Sequence, residues 1–298
     1  MSDAAVDRGA WTRLTELGVL RATGADAVAF LQGQLSNDLA RLERERALLA
    51  SLNTPQGRVV AVLRLVQRRD GVMAILPAAL VTPVIERLRK YVLRAKVALH
   101  DESARWAVAG LLDVAAGDAD SNPQTATDEF SVHTLPGRAG RQLLIGPSDA
   151  LESVASRLAP GATTADRWRL AAIELGEPQV YPATSDVFVA QMLNLDLVDG
   201  VSFTKGCYTG QEIIARTQHR GRIKRRMLRY RLAGAAALNP GDTVQIEQRA
   251  GRVVEFAAKS ASEGEILAVM SLEGAPQAYA ADLPAERLPL PYSIPDLD

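Results

Sequence analysis

Eight consecutive residues, Lys205-Gly206-Cys207-Tyr208-Thr209-Gly210-Gln211-Glu212, bring together the residue types that do chemistry. Cys207 is the sole cysteine, and a primary amine stands two positions before it. In an extended segment positions i and i+2 share a side, where an ammonium favours thiolate over thiol and makes the sulfur a nucleophile, a soft metal ligand or a redox-active group. Gly206 and Gly210 let the stretch turn. Ile213-Ile214-Ala215 then reads as the apolar part of a short helix starting near Thr209, with Glu212 as capping-box partner and the positive helix end beside the thiol. A blander reading stays open, in which Cys207 is a small buried hydrophobe, Lys205 a solvated surface charge and the cap merely the end of a loop.

Two further features have chemical content. Arg216, His219, Arg220, Arg222, Lys224, Arg225, Arg226, Arg229 and Arg231 follow with no acid between 213 and 231. In a chain of 34 basic and 35 acidic residues, formal net charge −1, such a run makes a local positive surface for phosphate, an RNA backbone or a polyglutamate chain. The partial alternation from Arg225 to Arg231 equally suits a strand whose outward arginines are solvated edge protection. No stacking aromatics interleave with the charges, so sequence-specific nucleic-acid recognition is not expected. Trp168 stands between Arg167 and Arg169 on a predicted helix; such a ring stacks on a heteroaromatic ligand whose carboxylates the arginines hold, or packs in a core.

A chain of 298 residues at 47% hydrophobic and 23% charged suits a globular protein of about two domains. One cysteine excludes an internal disulfide, and with three histidines (His100, His133, His219) it cannot by itself build a Cys-rich zinc site or hold an iron–sulfur cluster. No Walker loop, dinucleotide-binding turn, H-E-x-x-H or G-x-S-x-G is present. A signal-like start and a bilayer-spanning apolar run are both missing, so a cytoplasmic location without membrane contact is expected. Asp26 precedes a predicted helix carrying Phe30 and Leu31; Leu48 to Leu52 and Val59 to Val66 make a hairpin around Asn53-Thr54-Pro55-Gln56-Gly57; Asp70-Gly71 turns into Val72 to Leu76. Helices are predicted over about 79–92, from Val84, Leu88 and Tyr91, and 165–175, from Trp168, Ala172 and Leu175. After residue 231 ten acids face four bases, and short β-type runs replace helical signals. An α+β class follows, with a small all-β module at the C-terminus.

Lys205 to Glu212 resembles the K-G-C-[FY]-x-G-Q-E signature of the YgfZ-type folate-binding, tRNA-modifying proteins, relatives of the glycine-cleavage aminomethyltransferase (T-protein). Phe30 to Asp38, Pro55 to Arg58, Leu88 to Leu93, Trp168 to Pro178 and Asn194 to Lys205 resemble family blocks in family order. The resemblance implies an aminomethyltransferase-like folate-binding body over residues 1–224 and a C-terminal β-barrel over 225–298. It implies tetrahydrofolate or a derivative as ligand, and a role in maintaining iron–sulfur enzymes or their assembly, including enzymes that modify tRNA. On it Cys207 and Lys205 are the functional pair, and Trp168, Tyr208, Gln211, Glu212 and Arg220 contact folate; by its charge, and not by the resemblance, the Arg216 to Arg231 run offers tRNA a contact. Aligned through Gly57, the acidic pair of the aminomethyltransferases falls at Ala61 and Val62, which weighs against aminomethyl transfer. Some relatives carry a tryptophan where this chain has Leu17. A folate-dependent one-carbon transferase using Cys207, and a non-catalytic RNA- or protein-binding module, stand as alternatives.

Overall fold

The computed structural model describes residues 9–43, 46–114, 129–137, 140–220, 223–234, 238–272 and 283–295, the side chains of 219 and 220 excepted. β1 (Ala10–Arg13) and β2 (Leu17–Thr23) lead to the short helix α1 (Ala27–Gln32), then β3 (Leu48–Asn53) and β4 (Val59–Arg68). Asp26 begins that helix through its carbonyl, which accepts from Phe30 N–H, while its carboxylate accepts from Lys96 N–H at 2.7 Å. The hairpin turn forms as its residue types demand: Gly57 adopts φ +73°, and Thr54 N–H bonds Arg58 O at 2.8 Å. β5 (Gly71–Pro77) leaves the second turn, and α2 (Ala78–Arg89) buries Leu80, Val81, Val84, Ile85 and Leu88 at helical spacing. Tyr91, expected on that face, falls past the helix end and is 42% exposed.

Next come β6 (Ala98–Asp101), β7 (Trp106–Leu112), β8 (Ser131–Thr134), β9 (Gln142–Pro147), α3 (Leu151–Leu158), the two-residue β10 (Gly161–Ala162) and α4 (Ala165–Glu174). The remainder holds 3-10 turns at Pro182–Thr184 and Ala190–Leu193, α5 (Gln211–Arg220), and the strands β11 (Arg225–Ala233), β12 (Thr243–Ile246), β13 (Arg249–Ser260), β14 (Glu263–Ser271) and β15 (Ala285–Leu288).

The chain divides into two compact units, each discontinuous in sequence: 1–30, 39–48 and 64–168, and 31–38, 49–63 and 169–298. In the first, one sheet has the order β10-β1-β7-β9-β8 and carries α3 over Leu111, Val132 and Leu144. β6, β2, β5 and the 64–68 half of β4 make further antiparallel pairs there. In the second unit β3 lies beside the first half of β4, and a five-stranded antiparallel sheet has the order β12-β13-β14-β11-β15. Leu228, Tyr230, Val253, Ile266 and Met270 form its core, onto which Tyr292 and Ile294 of the proline-rich C-terminal stretch pack. Sheets of largely neighbouring, antiparallel strands with few helices are the α+β arrangement expected.

The expected barrel is not seen closed among the described residues. β12 and β15 are the edges of the C-terminal sheet, and one backbone bond, Leu283 N–H to Gln245 O at 2.7 Å, stands where a closing ladder would run. Both edge strands are four residues long, and their ladders run to β13 and β11.

Candidate functional site

The site is built by two buried segments of the second unit around the loop that precedes α5. Ser36 and Asn37 are fully buried polar residues, and burial of such groups is tolerable only when they are hydrogen-bonded. Ser36 Oγ donates to Gly200 O at 2.6 Å and accepts from Ser51 N–H at 2.8 Å. Asn37 Nδ2 donates to Leu49 O at 2.7 Å and Asp199 O at 2.6 Å, and Ser202 N–H bonds Ser36 O at 3.0 Å. The 35–37 segment is thereby tied to β3 on one side and to the 199–202 loop on the other.

Lys205 completes this arrangement. Its side chain is buried, and Nζ donates to Gln32 O at 2.5 Å, Leu35 O at 2.8 Å and Asn37 O at 2.8 Å, which uses all three hydrogens of an ammonium. The Tyr208 ring lies 5.2 Å from Nζ. Burial lowers the Lys205 pKa to about 8, against a smaller opposing pull from the Asp38 carboxylate. The same loop meets the β3–β4 turn backbone to backbone. Gly210 has φ +83°, and a Cβ there would lie 2.4 Å from Thr54 O and 3.1 Å from Gly57 Cα. Between these two contacts Cys207 is exposed, and Gly206 has open space around it.

The bland reading of the pair is thus revised. The lysine is the buried member and the cysteine the exposed one, the reverse of the bland expectation. The ammonium's hydrogens are engaged by carbonyls, which leaves none to donate to the sulfur. Helix α5 starts at Gln211, and the Thr209 hydroxyl donates to Gln34 Oε1 at 3.3 Å. Gln211 is half-buried and Glu212 exposed in its first turn, Ile214 is buried, and Gln191 Nε2 donates to Ile214 O at 2.7 Å. Arg220 ends the helix, and its side chain lies outside the described part.

Trp168 belongs to the first unit, where it is buried. Its cation is Arg141, 4.6 Å from the ring centroid, and a Cβ at Gly110 would lie 2.4 Å from the indole. Core packing is what these neighbours describe: one face is under a guanidinium, and a glycine makes room for the ring. Stacking on a ligand needs an uncovered face.

The basic run is not one positive surface. β11 lies between β14 and β15, so it is no edge. Arg226 is buried and bonds Asp196 through both Nη atoms, at 2.7 and 3.0 Å. Arg229 pairs with Glu265, and Arg231 lies 3.5 Å from Glu263 and 3.4 Å from Glu286. The neutralising acids come from distant sequence, which a local count misses. Arg216 and Arg225 are exposed, and Arg222 lies outside the described residues. No group of three or more metal-ligating side chains occurs among the described residues, and no described helix is long and apolar enough to cross a membrane.

Sequence reasoning missed Ser36, Asn37 and Asn53. Asn53 is fully buried beside Gly210; its Oδ1 accepts from Ser51 Oγ at 3.0 Å, while its Nδ2 has no partner. The buried Tyr208 hydroxyl has none either. The available signal was a run of small polar residues within apolar flanks, at 36–38 and at 53–54. At 61 and 62 stand the buried side chains of Ala61 and Val62, on the fourth strand.

No family model matches the chain. It is 30% identical over 251 residues to the tRNA-modifying protein YgfZ of Yersinia pseudotuberculosis, covering 80% of this chain and 75% of that one. The protein of the same name from Edwardsiella ictaluri is 32% identical at the same coverage. Among solved structures, the glycine cleavage system aminomethyltransferase T from Bartonella henselae superposes with a TM-score of 0.66 at 13% identity, over 88% of this chain and 78% of that one. The fold is therefore aminomethyltransferase-like.

Proposed function

The chain belongs to the family of the tRNA-modifying protein YgfZ, and from that premise we propose that it is a folate-binding accessory factor that supports tRNA modification by maintaining iron–sulfur enzymes, with Cys207 as its working thiol. The observation that carries this reading is the buried Lys205 cradle, which fixes the loop from its inner side and leaves an exposed sulfur on its outer side. Lys205 in this reading positions the thiol; it does not donate to it. The absence of a carboxylate at Ala61 and Val62 supports an accessory role over aminomethyl transfer, because an apolar side chain cannot orient an amine or accept its proton.

A folate suits the residues present. Its pterin edge needs hydrogen-bond donors and acceptors, and Asn53 Nδ2 and the Tyr208 hydroxyl are buried groups still lacking a partner. These two would hold the ligand, with Gln211 and Glu212, just after Tyr208 in sequence, in the first turn of α5 and Arg220 at its far end; bound folate would supply a one-carbon unit or act as a regulatory ligand.

The test is complementation. In cells lacking the protein, the wild-type chain restores tRNA thiolation, read by mass spectrometry of tRNA nucleosides, and Cys207→Ala does not, although it accumulates to the same level. Full restoration by Cys207→Ala overturns the role of the thiol. For the purified protein, calorimetry is expected to show tetrahydrofolate binding that Asn53→Ala weakens about fivefold, the loss of one hydrogen bond worth about 1 kcal/mol.

A further inference from the structure

With Arg226, Arg229 and Arg231 engaged by carboxylates, the Arg216 to Arg231 run offers a polyanion fewer cations than its sequence suggests. We propose that residues 87–96, the last turn of α2 and the turn beyond it, form an RNA-docking surface in which Arg89, Lys90, Arg94 and Lys96 meet phosphates and Tyr91 stacks on an unpaired base. RNA as the polyanion rests on the reading above; the surface itself rests on the following observations.

Five basic residues occupy these ten positions, and no acid occurs from 87 to 100. Arg89, Lys90, Arg94 and Lys96 are exposed, and no ion pair engages them among the described residues. Arg89 Nη2 donates to Leu99 O at 3.2 Å, which orients that side chain without neutralising it. Cations at a helix C-terminus are favoured by the helix dipole, and that accounts for Arg87 and Arg89. It does not account for Arg94 and Lys96, past the helix, nor for the apolar groups between Lys90 and Arg94. Tyr91 is 42% exposed and Leu93 88% exposed, an aromatic and an aliphatic side chain held in water among positive charges.

The segment is held in place. Lys90, Tyr91 and Val92 N–H bond Arg87, Leu88 and Arg89 carbonyls, and Lys96 is fixed by a two-way contact with Asp26: Lys96 N–H to Oδ2 at 2.7 Å and Asp26 N–H to Lys96 O at 3.2 Å. Asp26 is thus one carboxylate held against the segment by a backbone donor, which leaves the four exposed cations in net excess, and Glu86 is the next acid along the chain. Uncompensated cations with an exposed ring are the chemistry of single-stranded or looped RNA, where phosphates and open base faces occur together. An acidic protein would match the charges but leave the tyrosine ring without a role.

The test uses the full chain and a fluorescein-labelled, unmodified tRNA transcript, with anisotropy measured from 50 to 300 mM salt. Binding is expected to weaken with salt; Lys90→Glu with Arg94→Glu and Lys96→Glu lowers the slope of log K against log salt by about 2 to 3 and the affinity at least about tenfold. Tyr91→Ala weakens binding by about fivefold to a hundredfold with the slope unchanged, as loss of a stacked base requires. Arg216→Glu with Arg225→Glu changes affinity less than about twofold. A slope unchanged in the triple variant, or binding removed by the Arg216 and Arg225 pair, overturns the proposal. Competition by polyglutamate at equal charge together with no effect of Tyr91→Ala also overturns it, and reassigns the face to an acidic protein. Should the triple variant fail to fold, Arg94→Glu alone and Tyr91→Ala decide between the same outcomes. Absence of tRNA binding by the wild type overturns the surface while leaving the Cys207 complementation result to stand or fall separately.

Discussion

Lys205 is the residue on which the site turns. Its removal takes the Nζ donor away from the carbonyls of Gln32, Leu35 and Asn37, the last two in buried bonds, so Lys205→Met is expected to lower the unfolding free energy by about 3 kcal/mol, read as a shift in urea midpoint at constant m. Its titration has a definite sign. Because the folded pKa, about 8, lies below the ordinary 10.5, the unfolded chain holds the extra proton between those values, and stability rises with pH across that window. Tyr208, Tyr230 and Tyr292 oppose it higher up: burial raises each to about 12, so between 10 and 12 the folded chain keeps protons the unfolded chain has lost, and stability falls. Urea midpoints from pH 7 to 11 are expected to climb above pH 8 and turn down beyond pH 10, and Lys205→Met is expected to lack the climb. The residue types of this site were legible in sequence, but the direction of Lys205 was not. Spacing along a strand says which side chains share a side, whereas the carbonyls that capture Nζ come from a turn about 170 positions earlier.

At the scale of elements, the contact between the loop and the β3–β4 turn depends on Gly210 and not on Gly206. Gly210 has a left-handed φ and the Thr54 carbonyl within 2.4 Å of any added Cβ, so Gly210→Ala is expected to cost about 2 kcal/mol or more. Gly206 meets nothing within 4 Å, and Gly206→Ala is expected to change stability by less than about 0.5 kcal/mol. The pair of midpoints checks both. Strands, turns and helices of this kind were readable because local chemistry dictates them: Gly57 and Gly71 mark turns, and the spacing of Val84 and Leu88 marks a helix. Strand β11 was not readable in the same way. Its arginines alternate as on an edge, yet it lies second from the edge, since which strands flank it is set by Glu263–Ser271 and Ala285–Leu288, far downstream.

Across the whole molecule, a formal charge near zero conceals an uneven division of cations. Arg226 is enclosed with Asp196 at 2% and 3% side-chain exposure, and Arg226→Met, which strands the buried carboxylate, is expected to lower stability by about 3 to 5 kcal/mol in the same denaturation assay. Residues 87–96 keep their charges in solvent. The sequence-level count gave weight to the longer run, because it weighs acids by proximity along the chain rather than across strands. The presentation of Cys207 reaches beyond the fold. With no second thiol in 298 residues, a sulfenic acid formed on this sulfur has no resolving partner within its own chain, and every disulfide it enters joins it to another molecule. Oxidation of this protein therefore registers as a mixed disulfide or a covalent dimer, and the cell's small-molecule and protein thiols, rather than the chain itself, set how long that state lasts.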